Sequence, residues 1–374
     1  MSRTVMVLGG YGITGSRIAE LLLQETDARV VIAGRRLVEA KRLADRLGRG
    51  AAGERVSPAL ADATDAKLLE RALNEVDLVV VASSTSADVR TVAQAAIETG
   101  TDYLDIQGSA TKVRFLESMA DVIEQNGRCF ITDGGLHPGL PGALVRFAAG
   151  FIDRVQRANV ASIIQLDWRN LDLSRATTAE FATELVAYRP KKYQQGKWVE
   201  SWRDSRAYAF GAPFGKRTVR PMFLEELRPL PDLFPSLTEI GYYIGGFNWF
   251  VDSVVMPLGW MGLRVAGDRA SGPVGRLLGW GLQRFSRPPF GTVFLIEASG
   301  WKKGRLVSVR GSVTHDDGYT LTAIPVVACL QQYLDGSIKK AGLWYQALAV
   351  DPRRFLTDIE RLGAKVEYDL DVET

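Results

Sequence analysis

Over the first 140 positions the apolar residues fall into short runs separated by stretches with helical spacing. TVMVLGG, RVVIAG, RVSPALA, DLVVVASS, YLDIQG and CFITDGG read as strands. After the first, ITGSRIAELLLQE puts Ile18, Leu21, Leu22 and Glu25 at helical spacing, and a second helix runs through Lys41 and Leu47. The strands are short, rich in Val and Ile, and apolar without alternation. That is the pattern of a parallel sheet covered on both faces. The expected fold class is α/β, with an N-terminal Rossmann-type doubly wound parallel sheet over 1–140. From 151 to 317 the βα alternation stops. VQRANVASIIQL, GKWVESW, TVFLIEASGW and RLVSVRGSVTH read as strands, and QQGK and THDDG as hairpin turns. These predict a second, α+β domain over 141–319, built on an antiparallel sheet. Residues 320–374 read as a C-terminal helical segment returning to the first domain.

The turn after the first strand carries chemistry. Gly10, Gly12 and Gly15 match GxGxxG, with Gly9 in front and Ile13 and Thr14 between the last two glycines. One glycine makes the tight turn, one lets the backbone approach a pyrophosphate, and one lets the helix pack close to the strand. The helix start then offers unpaired N–H groups to phosphates. The alternative is a glycine-rich turn with no ligand. At the end of the second strand, where an acid would hold a ribose 2′-hydroxyl, the sequence is AGRR, with Arg35 and Arg36. A guanidinium pairs with a 2′-phosphate and a carboxylate repels it, so NADP(H) is expected over NAD(H). Asp62 follows the third strand and is expected beside the adenine pocket, or as a helix cap in ADATD. Ala82, Ser83 and Ser84 end the fourth strand and are expected to face the cofactor.

Composition narrows the partners. The 46 basic and 43 acidic residues give a net charge of +3, too balanced to argue for nucleic acid. Cys129 and Cys329 stand 200 positions apart with no Cys/His cluster, so no metal site and no disulfide scaffold are expected. The chain runs straight into a strand and lacks a run of 18 apolar residues, so a cytoplasmic location is expected. The basic stretch Arg189 to Arg206, with six positive and two negative residues, reads as a solvated hairpin face. One segment is unusual. From Tyr242 to Leu263, and on through GRLLGWGLQRFSR to Arg287, aromatic clusters alternate with arginines. This hydrophobic insert, 242–287, suits its own core, a membrane interface, a lid over an apolar substrate, or a subunit contact.

The succession GGYGITG, AGRR, ADATD, DLVVVASS, AAIETGTDYLDIQG and DGGLHPGLPG resembles the saccharopine dehydrogenase-like reductases. The tail from GYTLTAIPVVACLQQYLDG to LTDIERLG is similar as well. The resemblance implies an N-terminal NADP-binding domain. It also implies chemistry on C–N bonds of amino acids and polyamines, or reduction in lipid pathways. His137 stands where members often carry an acid. The proton-handling candidates are His137, in the loop after the sixth strand; Tyr103 and Asp105, which with Gln107 share one face of the fifth strand; and Asp133. Pro138, Gly139, Pro141 and Gly142 read as a hinge between domains. His315 reads as a turn residue. The expected function is an NADPH-dependent oxidoreductase passing hydride to a C=N, C=C or C=O bond of a small, hydrophobic or lipid-like substrate. It is expected as a homodimer, with membrane-surface contact through 242–287. The rival is a non-catalytic NADP(H)-binding sensor or partner-binding protein.

Overall fold

The computed structural model describes residues 2–49, 53–170, 188–246 and 248–372. The chain forms two compact units, Met1–Ala143 with Tyr319–Gly363 and Leu144–Gly318 with Ala364–Thr374.

The first unit is a seven-stranded parallel sheet. Its strands are β1 (Thr4–Leu8), β2 (Arg29–Gly34), β3 (Val56–Leu60), β4 (Leu78–Val81), β5 (Asp102–Asp105), β6 (Cys129–Thr132) and β15 (Gly342–Tyr345). The spatial order is β15-β6-β5-β4-β1-β2-β3. Strands β4, β5 and β6 are buried at every position, as a sheet covered on both faces requires. The strand order reverses between β1 and β4, and in such sheets the ligand crevice opens at the carboxyl ends on either side of that reversal. The helix Ile13–Glu25 buries Ile18, Ala19, Leu22 and Leu23. Helix Gly318–Leu334 is buried from Ala323 to Leu330, apolar all round because it is enclosed all round.

The second unit holds a nine-stranded sheet. Its strands are β7 (Arg154–Gln165), β8 (Lys191–Gln194), β9 (Lys197–Glu200), β10 (Arg206–Ala209), β11 (Lys216–Met222), β12 (Glu239–Gly245), β13 (Gly291–Lys302), β14 (Arg305–His315) and β16 (Lys365–Val372). It is antiparallel in every pairing but one. Strands β7 and β12 run parallel, Val160 beside Tyr242. Gln195 and Gly196, both at positive φ, make the expected hairpin turn between β8 and β9.

Three expectations need correction. THDDG is not a hairpin turn: it joins β14 to helix Gly318–Leu334, and His315 Nδ1 accepts the Asp317 N–H at 2.9 Å to shape that junction. The closing segment is not all helical. It supplies β15 to the first sheet and β16, paired along β14, to the second. The stretch Arg189–Arg206 is not a solvated face throughout. Lys192 and Arg206 pair with Asp204, and Arg206 also holds Glu239 at 2.7 Å in a partly buried network.

In the insert, a π-helical turn (Val251–Val255) leads into helices Met256–Ala266 and Ser271–Phe285. Leu278 and Leu282 pack with Trp168, Val251 and Val255 in a small core. Trp249, Phe250, Trp280 and Phe285 form a cluster of ring contacts beside it. Trp249, Leu258, Met261, Val265 and Trp280 remain exposed, Val265 at 83%. Phe247, and the side chains of Trp260 and Leu263, lie outside the described residues. Among the described residues no helix is long and apolar enough to cross a membrane.

Candidate functional site

The turn between β1 and the first helix needs glycine where the backbone packs closest, at Gly9 and Gly15. Gly9 has φ +85°, and a Cβ there would sit 2.9 Å from the Ala82 carbonyl at the end of β4. At Gly15 a Cβ would meet the Gly9 carbonyl at 2.3 Å. The turn therefore lies flat against the neighbouring strand ends, with the helix close above it. Gly12 caps that helix without any side-chain hydrogen bond, and no acid occupies the first turn. The N–H groups of Ile13, Thr14 and Gly15 are left without intrahelical acceptors, at the positive end of the helix dipole. This is a cradle for an anion, and backbone lies where a bulkier sequence would block it. The residues present fit the pyrophosphate of a dinucleotide.

At the end of β2 the geometry adds a residue that sequence reasoning missed. Tyr11 lies across Gly34, where a Cβ would come within 2.6 Å of its ring. Its hydroxyl accepts the Arg36 N–H at 3.0 Å, and the Arg36 guanidinium lies over its ring at 5.2 Å. Tyr11 thus ties the glycine turn to the strand end that carries both arginines. A tyrosine inside GGYGITG was the available signal. Arg35 is exposed and acts on Asp62. Asp62 Oδ1 accepts the N–H and hydroxyl of Thr64, at 3.0 and 2.9 Å. The Thr64 N–H, with the Thr64 hydroxyl and the Arg35 charge, holds the Asp62 carboxyl below its ordinary range, although burial pulls the other way. The cap of the following helix is Asp65, not Asp62, accepting the Leu68 N–H at 3.0 Å. Ala82 continues β4 through its N–H to the Leu8 carbonyl, so it sits against the glycine turn. Ser83 contacts Thr85 at 3.0 Å, and its carbonyl accepts from the Gln107 amide. Ser84 is exposed.

The carboxyl ends of β5 and β6 are locked by a buried lysine that the sequence did not announce. Lys112, on helix Ala110–Ser118, has no exposed surface. Its ammonium donates to Asp105 at the end of β5, to the Gln107 carbonyl, and to Asp133 just past β6 at 2.9 Å. Asp105 also accepts from the Thr132 hydroxyl at 2.8 Å and the Gln107 N–H at 3.2 Å. Asp133 takes φ +55°. The two carboxylates hold the Lys112 ammonium above its ordinary pKa, although burial pulls the other way. A charged cluster this dry is stable only because each lone pair and proton meets a partner. Asp105 and Asp133 are thus brought together, 28 positions apart in sequence.

Tyr103 lies in the core, 1% exposed and stacked on Phe130 at 4.9 Å. Burial, with the Asp105 carboxylate beside it, raises its hydroxyl well above the ordinary value. Solvent does not reach it to replenish a proton. His137 follows in a loop with a cis His137–Pro138 bond. Desolvation lowers its imidazole to about 4, so the ring is neutral at pH 7. Gln346 was also missed. Its side chain accepts the Gly135 N–H at 3.1 Å and donates to the Gly135 carbonyl at 3.2 Å, pinning the same loop from the far end of the chain.

Residues 5–127 match the family model described as the saccharopine dehydrogenase NADP binding domain. Among solved structures, an apo histidine-tagged saccharopine dehydrogenase (L-Glu forming) from Saccharomyces cerevisiae is similar at 14% identity. It aligns over 99% of this chain and 100% of that one, with a TM-score of 0.69. That likeness shows the fold. A myo-inositol dehydrogenase from Corynebacterium glutamicum aligns over 97% of this chain and 95% of that one at 12% identity, with a TM-score of 0.45, too low to carry an argument. No curated protein matches by sequence.

Proposed function

We propose that this chain, whose residues 5–127 form a saccharopine dehydrogenase-like NADP-binding domain, is an NADP(H)-dependent oxidoreductase acting on a small molecule. The observation that carries the proposal is the acid-free helix start behind a turn that requires glycine at Gly9 and Gly15, with two arginines at the neighbouring strand end. The backbone N–H groups of Ile13, Thr14 and Gly15 hold the pyrophosphate, and Arg35 and Arg36 take the 2′-phosphate. Asp62 borders the adenosine side, and Ala82, Ser83 and Ser84 line the crevice wall. The bound cofactor supplies hydride for a C=N, C=C or C=O carbon. Asp105 and Asp133, fixed by Lys112, hold the strand ends and the His137 loop in place. A neutral His137 acts as a hydrogen-bonding group toward substrate rather than as a charged acid. The exposed aromatic and aliphatic side chains of the insert support an apolar substrate and contact with a membrane surface. Homodimerisation and a cytoplasmic location complete the reading.

One observation favours a second reading, a non-catalytic NADP(H) sensor. The candidate proton carriers are a core tyrosine, a neutral histidine and carboxylates neutralised by a lysine. Titration with NADPH and NADH by nucleotide fluorescence, on wild type and Arg35→Ala, tests the cofactor assignment. The expected outcome is tighter NADPH binding that weakens roughly tenfold or more in the variant, as loss of a charge-assisted hydrogen bond predicts, with NADH affinity unchanged. Absence of binding by either nucleotide refutes both readings. Binding without hydride transfer to any carbonyl, imine or enoyl acceptor favours the sensor.

A further inference from the structure

Tyr11 stands in the glycine turn after β1, yet its contacts are with the end of β2. The Arg36 guanidinium lies over its ring, 5.2 Å from the centre, and its hydroxyl accepts the Arg36 N–H at 3.0 Å. One side chain therefore holds Arg36 twice, by its backbone and by its charged head. Arg36 makes no side-chain hydrogen bond or ion pair among the described residues, so the ring is what steadies that head. Arg35 is placed differently, with its charge acting on Asp62.

The end of β2 is shaped for this contact. A Cβ on Gly34 would lie 2.6 Å from Tyr11 Cε1, 2.7 Å from its hydroxyl oxygen and 2.8 Å from Cζ, and its three nearest neighbours all belong to this one side chain. Gly34 is not among the residues at positive φ, so its backbone tolerates a side chain. The bare position serves the ring, and through it Arg36.

An exposed arginine samples many rotamers, and fixing it on a ligand costs side-chain entropy. Stacking it on a ring removes part of that cost before a ligand arrives. The stacked guanidinium keeps its N–H edge for two oxygens of one phosphate. The gain falls on a ligand that brings a phosphate to this strand end, and not on one that ends there in a hydroxyl.

We propose that Tyr11 is a specificity-determining positioning residue: it holds Arg36 flat and pre-aimed, and so sets the preference for a nucleotide phosphorylated at its ribose 2′ position over the same nucleotide without that group. The inference rests on the NADP(H) reading above and deepens it, because two arginines on the surface do not by themselves fix where their charges point.

The test is fluorescence titration of the full chain with NADPH and NADH. Competition by adenosine 2′,5′-bisphosphate and adenosine 5′-monophosphate asks the same question without the nicotinamide end. A cation–π contact at an exposed site is worth about two- to fivefold in affinity, so Tyr11→Ala is expected to lower the NADPH-over-NADH preference by that factor. NADH affinity is expected to hold, which reports an intact fold and glycine cradle. Tyr11→Phe keeps the ring and is expected to keep most of the preference. Gly34→Ala displaces the ring while leaving Tyr11 in the sequence; it is expected to reproduce Tyr11→Ala and to add nothing in the Tyr11→Ala background. A preference unchanged in Tyr11→Ala overturns the proposal. So does an equal loss of NADPH and NADH, which makes Tyr11 a brace of the turn alone. A loss in Tyr11→Phe as large as in Tyr11→Ala, or a further loss in the double variant, removes the ring from the argument and overturns it as well. A wild type that binds neither nucleotide, or prefers NADH, is a different failure: it refutes the NADP(H) reading itself, and this inference with it.

Discussion

Replacing Lys112 by methionine keeps the volume of the side chain and removes its charge. In the wild type the ammonium holds two carboxylates, Asp105 and Asp133, at a place with no exposed surface on the lysine. Removing one partner of a buried ion pair costs about 3–5 kcal/mol, because the other charge is left desolvated. Two carboxylates are left here, so the upper end of that range is expected at neutral pH. This is a large share of the ~5–15 kcal/mol that holds an ordinary domain together. The pH dependence follows from the same charges. Without Lys112, one of the crowded carboxyls keeps its proton, so its folded pKa rises above the unfolded value. The stability of the protonated form is complete below the unfolded carboxyl pKa and is lost as pH rises through the folded one. The deficit of Lys112→Met is therefore smallest near pH 4 and largest near pH 8. In the wild type the Lys112 pKa is raised, so its contribution is intact across that range and disappears only under strongly alkaline conditions. Hydrogen exchange at the amides of β5 and β6 reads the local opening free energy directly. A loss under ~1 kcal/mol at pH 7.5, or a deficit that grows toward acid, refutes the assignment of a charged, dry cluster. Adding Asp105→Asn to Lys112→Met is expected to restore part of the loss, which a double-mutant cycle quantifies.

Two further outcomes are expected. In Gly15→Ala the new Cβ lies 2.3 Å from the Gly9 carbonyl, so the helix must lift off the turn; NADPH affinity, read by fluorescence titration, falls at least tenfold while circular dichroism is unchanged. His137 has a folded pKa of about 4, below its unfolded value of about 6.5, so its contribution to stability is present above that unfolded value and is lost as pH falls toward the folded one. His137→Asn removes that loss, which amounts to about 3 kcal/mol at ~1.36 kcal/mol per pKa unit; parallel unfolding curves for wild type and variant from pH 7 to pH 4 rule it out.

The first sheet was legible in the sequence because burial on both faces leaves unbroken apolar runs, from TVMVL to CFIT. The glycine turn was legible because its steric demands allow one residue type. Lys112 was not. In TKVRFLES it has the composition of a solvated helix face, and only the placement of β5 beside β6 turns it inward between two acids. Tyr11 was hidden in the same way. Its role depends on Gly34, 23 positions later, offering a bare backbone for its ring. The parallel pairing of β7 with β12 could not be read from either strand, since each alone is compatible with both directions.

The chain passes from one unit to the other at 143/144, 318/319 and 363/364, so neither unit is a continuous stretch. During synthesis the first sheet must wait. Its strand β15 and the Tyr333 hydroxyl that reaches the buried Asp102 carboxylate at 2.6 Å emerge only after Leu144–Gly318 of the second unit has been made. A fragment ending near residue 143 would therefore leave β6 as a bare sheet edge and Asp102 without that partner, and such an edge invites aggregation. The second sheet waits longer still, for β16, Lys365–Val372. A nascent chain of this design completes neither sheet until residues 342–372 have been made, which makes that stretch the closing piece of both.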